Sequence, residues 1–143
     1  MLVKHILREK GREVVTISGE AMLSEAARLL ARRRIGAVVV RDGDGGVSGI
    51  LSERDIVRAV SEHSVAALAH SVAMHMTRDV STCSETDTVD DLMETMTCGR
   101  FRHMPVVEDG RLCGIVSIGD VVKTRIEETV REATSLREYI VAG

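Results

Sequence analysis

The spacing of apolar and polar positions changes period along the chain, and the sequence of changes occurs twice. Leu23, Ala26, Ala27, Leu30 and Ala31 recur at three- and four-residue intervals, with Arg28 and Arg32-Arg33-Arg34 on the other side, which predicts an amphipathic helix. Val89, Leu92, Met93 and Met96 do the same, and Asp87, Asp90 and Asp91 fall in the first turn, where the helix dipole favours anions. Each helix gives way to an apolar β-branched run, Val38-Val39-Val40 or Val106-Val107. Turn-forming residues follow, Asp42-Gly43-Asp44-Gly45-Gly46 or Glu108-Asp109-Gly110, then a returning strand over 47–51 or 112–116. A short strand ends near Thr16 or Thr82 before each helix, and a second helix opens after Ser52 or Ser117. Each copy reads βαββα.

The correspondence is residue by residue. Gly49-Ile50-Leu51-Ser52-Glu53-Arg54-Asp55-Ile56-Val57 aligns with Gly114-Ile115-Val116-Ser117-Ile118-Gly119-Asp120-Val121-Val122. Val14 to Ser18 aligns with Val80 to Ser84, and Ala37 to Gly43 with Met104 to Gly110. On that alignment the turn of the first copy is two residues longer. One such unit cannot cover both faces of its sheet, so two units packed sheet to sheet are expected, with equivalent clefts between them. The expected organisation is a first unit over 1–67, a second over 68–125 and a C-terminal helix over 126–143. Segment 4–10, closed by Gly11, predicts a short opening helix, and 72–76 is its counterpart before the second copy. Val122, Ile126, Val130, Ala133 and Ile140 mark one long amphipathic helix over about 121–139. Its apolar stripe calls for a partner, and a homodimer with C2 symmetry supplies one.

Composition narrows the function. The chain has 143 residues with one Phe, one Tyr and no Trp, so its core is aliphatic, and Met74, Met76, Met93, Met96 and Met104 read as core filler. A net charge of −3 predicts no nucleic-acid footprint. The absence of a long apolar run or leader pattern predicts a cytoplasmic protein without a membrane span. Cys83, Cys98 and Cys113 form no CxxC and no zinc-like spacing with His5, His63, His70, His75 or His103, so no metal is expected and the thiols read as reduced, mostly buried side chains. No nucleophile elbow, P-loop or metal cluster suggests an enzyme.

The strand-to-helix junctions carry the site signal, Gly-h-h-Ser-x-x-Asp in both copies. Ser at N-cap with Asp at N3 is a capping-box variant. The same groups could instead meet a sugar: a carboxylate accepts two vicinal hydroxyls, and a helix start offers amides to an anion.

These motifs, with "RIGAVVV", "RHMPVVEDG", "GILSERDIV" and "GIVSIGDVV", resemble the cystathionine β-synthase (CBS) domain family in its tandem form, the Bateman module, over about residues 12–125. The tail, with "LREYI", resembles small stand-alone bacterial pairs. The resemblance implies an α/β (α+β) fold and a regulatory, non-catalytic role with an adenosine ligand: AMP or NAD(H) first, with ATP, ADP or S-adenosylmethionine also open. Carried over by position, Asp55 and Asp120 would hold ribose, and Ser52 and Ser117 ribose or phosphate. Thr16, Ile17, Thr82 and Cys83 would line the adenine side. Ile35, Gly36 and Ala37, and His103, Met104 and Pro105, would flank the base. Arg34, Arg54, Arg100 and Arg102 are the phosphate candidates, since the guanidinium pairs phosphate bidentately. Gly119, where the first copy has Arg54, permits close backbone approach. The two sites are expected to differ, with the Arg100–Asp120 half favoured. A second reading, from plant organellar pairs, is a redox-linked interaction module of the thioredoxin-regulating kind.

Overall fold

The computed structural model describes residues 1–41, 43 and 45–142; Asp42 and Asp44 of the expected first turn lie outside them. The elements are α1 (Val3–Lys10), β1 (Thr16–Ser18), α2 (Leu23–Arg33), β2 (Ala37–Arg41), β3 (Val47–Ser52), α3 (Glu53–His63), α4 (Val72–His75), α5 (Val89–Gly99), β4 (His103–Glu108), β5 (Arg111–Ser117) and α6 (Ile118–Ala142), with a 3-10 segment, Ser64–Ala69, before α4. The fold is mixed α/β, and none of its described helices is long and apolar enough to cross a membrane.

Two compact bodies make up the chain. One holds 13–81 with the hairpin tip 109–113; the other holds 1–12, 82–108 and 114–143. In the first, β1 pairs parallel with β2, and β2 antiparallel with β3. Leu23, Ala26 and Leu30 of α2 pack with Val38, Val40, Leu51, Ala59, Ala67 and Val72 into one aliphatic cluster. The helical period places three of the five predicted α2 positions in the core, while Ala27 is half-buried and Ala31 exposed.

The second body keeps the plan with one loss. β4 and β5 form a two-stranded sheet, and the expected strand at Thr82 is reduced to a single parallel bridge between Cys83 and Val106. Pro105 stands where Val39 donates its amide to Val15 O (3.3 Å) in the first copy, and a proline has no amide hydrogen to donate, so pairing fails before Cys83; after Cys83 the chain is taken up by Glu108. Its Oε1 accepts from Ser84 Oγ (2.6 Å) and from the Glu85 amide (2.7 Å), while Asp87 accepts from the Ser84 amide (2.8 Å). These bonds turn the backbone away immediately after Cys83. Asp87 therefore lies before α5, whose N-cap is Thr88, accepting from the Asp91 amide at 3.1 Å.

Pairing also corrects the repeat alignment. Ile17 opposes Val40 and Cys83 opposes Val106, so β2 and β4 correspond at a separation of 66 residues. Ala37 is thus equivalent to His103, not Met104, and the first turn is one residue longer rather than two. The shared Asp-Gly of the turns misled the alignment. A bulge between Val40 and Arg41 absorbs the difference.

The opening helices pack against the opposite copy from the one they precede. Segment 1–12 lies in the body of the second copy, where the Val3 amide donates to Asp87 O (2.9 Å) and Leu7 covers Gly114. Segment 72–77 stays with the first copy, where Thr77 and Ile50 exchange both backbone bonds at 2.9 Å. α6 runs unbroken from the motif, 25 residues long, and its Val122, Ile126, Val130, Leu136, Tyr139 and Ile140 are exposed.

The cysteines and methionines depart from expectation. Only Cys83 is buried, whereas Cys98 is exposed and Cys113 half-buried. Burial, then the charges of Asp87 and Glu108, push the Cys83 thiol up to about 12, so it is protonated at neutral pH. Met74, read as core filler, is exposed at 63%.

Candidate functional site

In the first copy two junctions meet at one end of the β2–β3 ladder. Ala37 pairs with Ser52, and the Glu53 amide donates to Gly36 O at 3.0 Å, which joins the α2–β2 loop to the start of α3. The Ile35 amide caps α2 by donating to Leu30 O at 3.1 Å. Thr16 and Ile17 lie one strand over, opposite Val39 and Val40. The second copy repeats the joint: the Ile118 amide donates to Arg102 O at 2.8 Å, and the Cys83 amide to Pro105 O at 3.0 Å. The position equivalent to Ile35 is accordingly Phe101, which the sequence reading passed over. His103 is half-buried, Met104 and Pro105 are buried, and Thr82, Arg54 and Arg102 are exposed. Cys83 is turned inward, with Sγ 3.7 Å from Pro105 O.

Both Ser/Asp pairs form the capping box, but their carboxylates are not equally committed. Asp55 is 4% exposed. Its Oδ2 accepts from the Ser52 amide (2.9 Å) and Ser52 Oγ (3.2 Å), and its Oδ1 from Arg58 (3.3 Å) and Thr77 Oγ1 (3.4 Å). Asp120 makes its bonds among the described residues through Oδ2 alone, to the Ser117 amide (2.9 Å) and Lys10 Nζ (2.5 Å). Its Oδ1 is left to accept. Burial pushes the Asp120 carboxyl up, but the Lys10 ammonium, the Ser117 amide and the Ser117 hydroxyl together outweigh it and hold the group below the usual carboxylate range. A pocket beside it is lined by Ile6, Glu9, Lys10, Asp120, Lys123 and Thr124. Lys10 was invisible to the sequence reading because it belongs to α1, 110 residues away. At Gly119 an added Cβ would meet only Ser117 Oγ, at 3.6 Å, so the helix start is open there.

Arg34 and Arg100 share an unusual backbone. Each follows its helix in the left-handed conformation, φ 55° and 56°, where glycine is favoured. Both side chains are exposed.

Three of the histidines that showed no metal-like spacing in the sequence come together in the fold. His63, His70 and His75 converge, with ring centroids 5.0 to 5.5 Å apart. Burial, then the neighbouring His70 and His63, lower the pKa of His75 below the ordinary histidine value.

Tandem motifs at equivalent strand-to-helix joints define a fold built from two copies of one small α/β domain. The CBS domain family matches at residues 3–62 and again at 69–127, and the chain belongs to that family as a tandem pair. A solved relative, the CBS-domain protein ATU1752 from Agrobacterium tumefaciens, is 54% identical with a TM-score of 0.86, over 87% of this chain and 99% of that one. The CBS domain pair of protein MJ0100, crystallised with 5′-methylthioadenosine and S-adenosyl-L-methionine, is 28% identical with a TM-score of 0.80, over 90% of this chain and 98% of that one. Among curated relatives, the mitochondrial CBS domain-containing protein CBSX3 of Arabidopsis thaliana is 29% identical over 99% of this chain and 72% of its own length.

Proposed function

We propose that this protein is a cytoplasmic, non-catalytic sensor of an adenosine nucleotide, with AMP or NAD(H) as the first choice and ATP, ADP or S-adenosylmethionine as alternatives. Binding changes its conformation or its affinity for a regulated protein. The observation that carries this reading is the asymmetry of the repeated Ser-x-x-Asp joint: Asp55 has both oxygens engaged, while Asp120 keeps Oδ1 for a ribose hydroxyl. Ser117 and Gly119 border the same helix start, and Arg100 and Arg102 supply cations for phosphate. The complexes of the MJ0100 pair with adenosine compounds support the ligand class.

Calorimetry with AMP, ATP, NADH, S-adenosylmethionine and uncharged 5′-methylthioadenosine tests it; heat from none of them overturns the reading. Arg100→Gly separates phosphate from base recognition. It relieves the left-handed backbone at this position, a gain offset by the greater freedom glycine gives the unfolded chain, so the fold should tolerate it. It is expected to weaken AMP and ATP while leaving 5′-methylthioadenosine unchanged. Equal loss for charged and uncharged ligands would remove Arg100 from the phosphate role.

We further propose that the active form is a homodimer built on α6, where Val122, Ile126, Val130, Leu136, Tyr139 and Ile140 are exposed at 43% or more. So much exposed apolar surface on one helix supports this reading. Sedimentation is expected to give a dimer for the wild type and a monomer for the Ile126→Glu/Val130→Glu variant; a wild-type monomer at micromolar concentration refutes the assignment.

A further inference from the structure

We infer that His63, His70 and His75 form a site for one divalent ion of the zinc class, set apart in sequence from the Ser-x-x-Asp joints. Their ligand nitrogens all lie within 4.8 Å of one another. His63 ends α3, His70 follows the 3-10 segment and His75 ends α4, so three element termini deliver one imidazole each. The intervals of seven and five residues match no metal motif, which is why the sequence reading passed over them.

The backbone holds two of the three in place. His70 is tied on both sides: its amide donates to Ala67 O (3.0 Å) and its carbonyl accepts from Leu23 (2.9 Å). α4 is pinned where Val72 and Ala73 donate to Ala21 O (2.7 Å) and Gly19 O (2.9 Å). His63 is the adjustable member, exposed at the end of its helix. A His–His hydrogen bond accounts for His70 Nδ1 and His75 Nε2 at 2.9 Å, but not for a third imidazole turned toward the same point. Zinc–nitrogen bonds of about 2.0–2.1 Å place ligand nitrogens about 3–4 Å apart. The cluster brackets that range, so closing it needs rotation of His63 and a small parting of the other two.

The donor set selects the ion. Neutral imidazoles suit zinc, cobalt, nickel and copper, whereas magnesium and calcium require oxygen ligands. Glu62 Oε2, 3.9 Å from His63 Nε2, adds a carboxylate at the rim that compensates charge. Three protein ligands leave a fourth position for water or for a side chain of a bound protein.

The test is calorimetry of the full chain, free of any polyhistidine tag, with zinc chloride and then magnesium chloride. One zinc per chain with micromolar or tighter affinity is expected, with no heat from magnesium. Cobalt(II) should give the visible absorption of a four-coordinate site. His75→Ala and His63→Ala should each weaken zinc at least tenfold, while Cys98→Ser should leave it unchanged. Nitrogen-15 spectra of the wild-type histidine rings provide a second readout that needs no variant: zinc must shift all three. Absence of zinc binding, binding that survives both histidine variants, or ring signals unmoved by zinc would each overturn the site.

Discussion

Gly49→Ala should destabilise the protein by about 1–3 kcal/mol, while the equivalent change, Gly114→Ala, should cost clearly less. Both glycines open the same motif, and both are covered by a segment from outside the ladder. A Cβ at Gly49 would lie 2.7 Å from Thr77 O and 2.7 Å from Met76 Sδ. The sulfur can swing away. The carbonyl cannot, because Thr77 exchanges two 2.9 Å backbone bonds with Ile50 next to the glycine. Making room stretches both bonds and lifts the segment that leads back to α4. At Gly114 the obstacle is Leu7, met at 2.6 Å through Cδ2. A leucine tip rotates at the cost of one rotamer and some packing. For a chain of this size the Gly49 loss lowers Tm by roughly 3–10 °C. Thermal unfolding of the two variants side by side decides the matter, and equal shifts would mean that the backbone obstacle carries no special penalty.

These two glycines show what the sequence made legible. The motif and its repetition were readable because local period and turn chemistry dictate them. Leu23, Ala26 and Leu30, or Val89, Leu92 and Met96, bury the predicted faces because a helix must hide its apolar stripe. What covers each glycine was not readable. α1 precedes the first copy in sequence yet covers Gly114 of the second, a choice made by long-range packing that no local pattern records. The same holds for Lys10 on Asp120 and for the three histidines, which converge only when three element ends meet. The alignment error at β4 has the opposite cause: a local signal, the shared Asp-Gly, outweighed the pairing of Cys83 with Val106. The loss of the strand at Thr82 follows from Pro105, which has no amide hydrogen at the position where Val39 bonds Val15 O in the first copy, and Glu108 then holds Ser84 and Glu85 beyond it.

Asp120→Ala should weaken the adenosine ligand ten- to a hundredfold, and Asp55→Ala should act chiefly on stability. A hydrogen bond to a charged group contributes roughly 1.5–3 kcal/mol, which is that range of affinity. Asp120 has one oxygen to offer, and the other is steadied by the Ser117 amide and Lys10. Because its carboxyl is held below the usual range, it stays ionised at neutral and mildly acidic pH. The stability it contributes is present above its unfolded pKa and is lost as pH falls through the lower folded value. Ligand affinity should decline over that same acidic window and not near neutrality. Asp55 is different, being 4% exposed with all four of its bonds internal. Removing it breaks the carboxylate half of the α3 capping box, while Ser52 Oγ still accepts from the residue 55 amide, and leaves Arg58 and Thr77 without their acceptor, a loss of about 1–3 kcal/mol. Calorimetry and thermal unfolding on both variants separate the roles. If Asp120→Ala binds the ligand as tightly as the wild type, Asp120 is only a helix cap. If Asp55→Ala alone loses the ligand, the occupied site is the first copy, and the open Oδ1 of Asp120 is not what selects it.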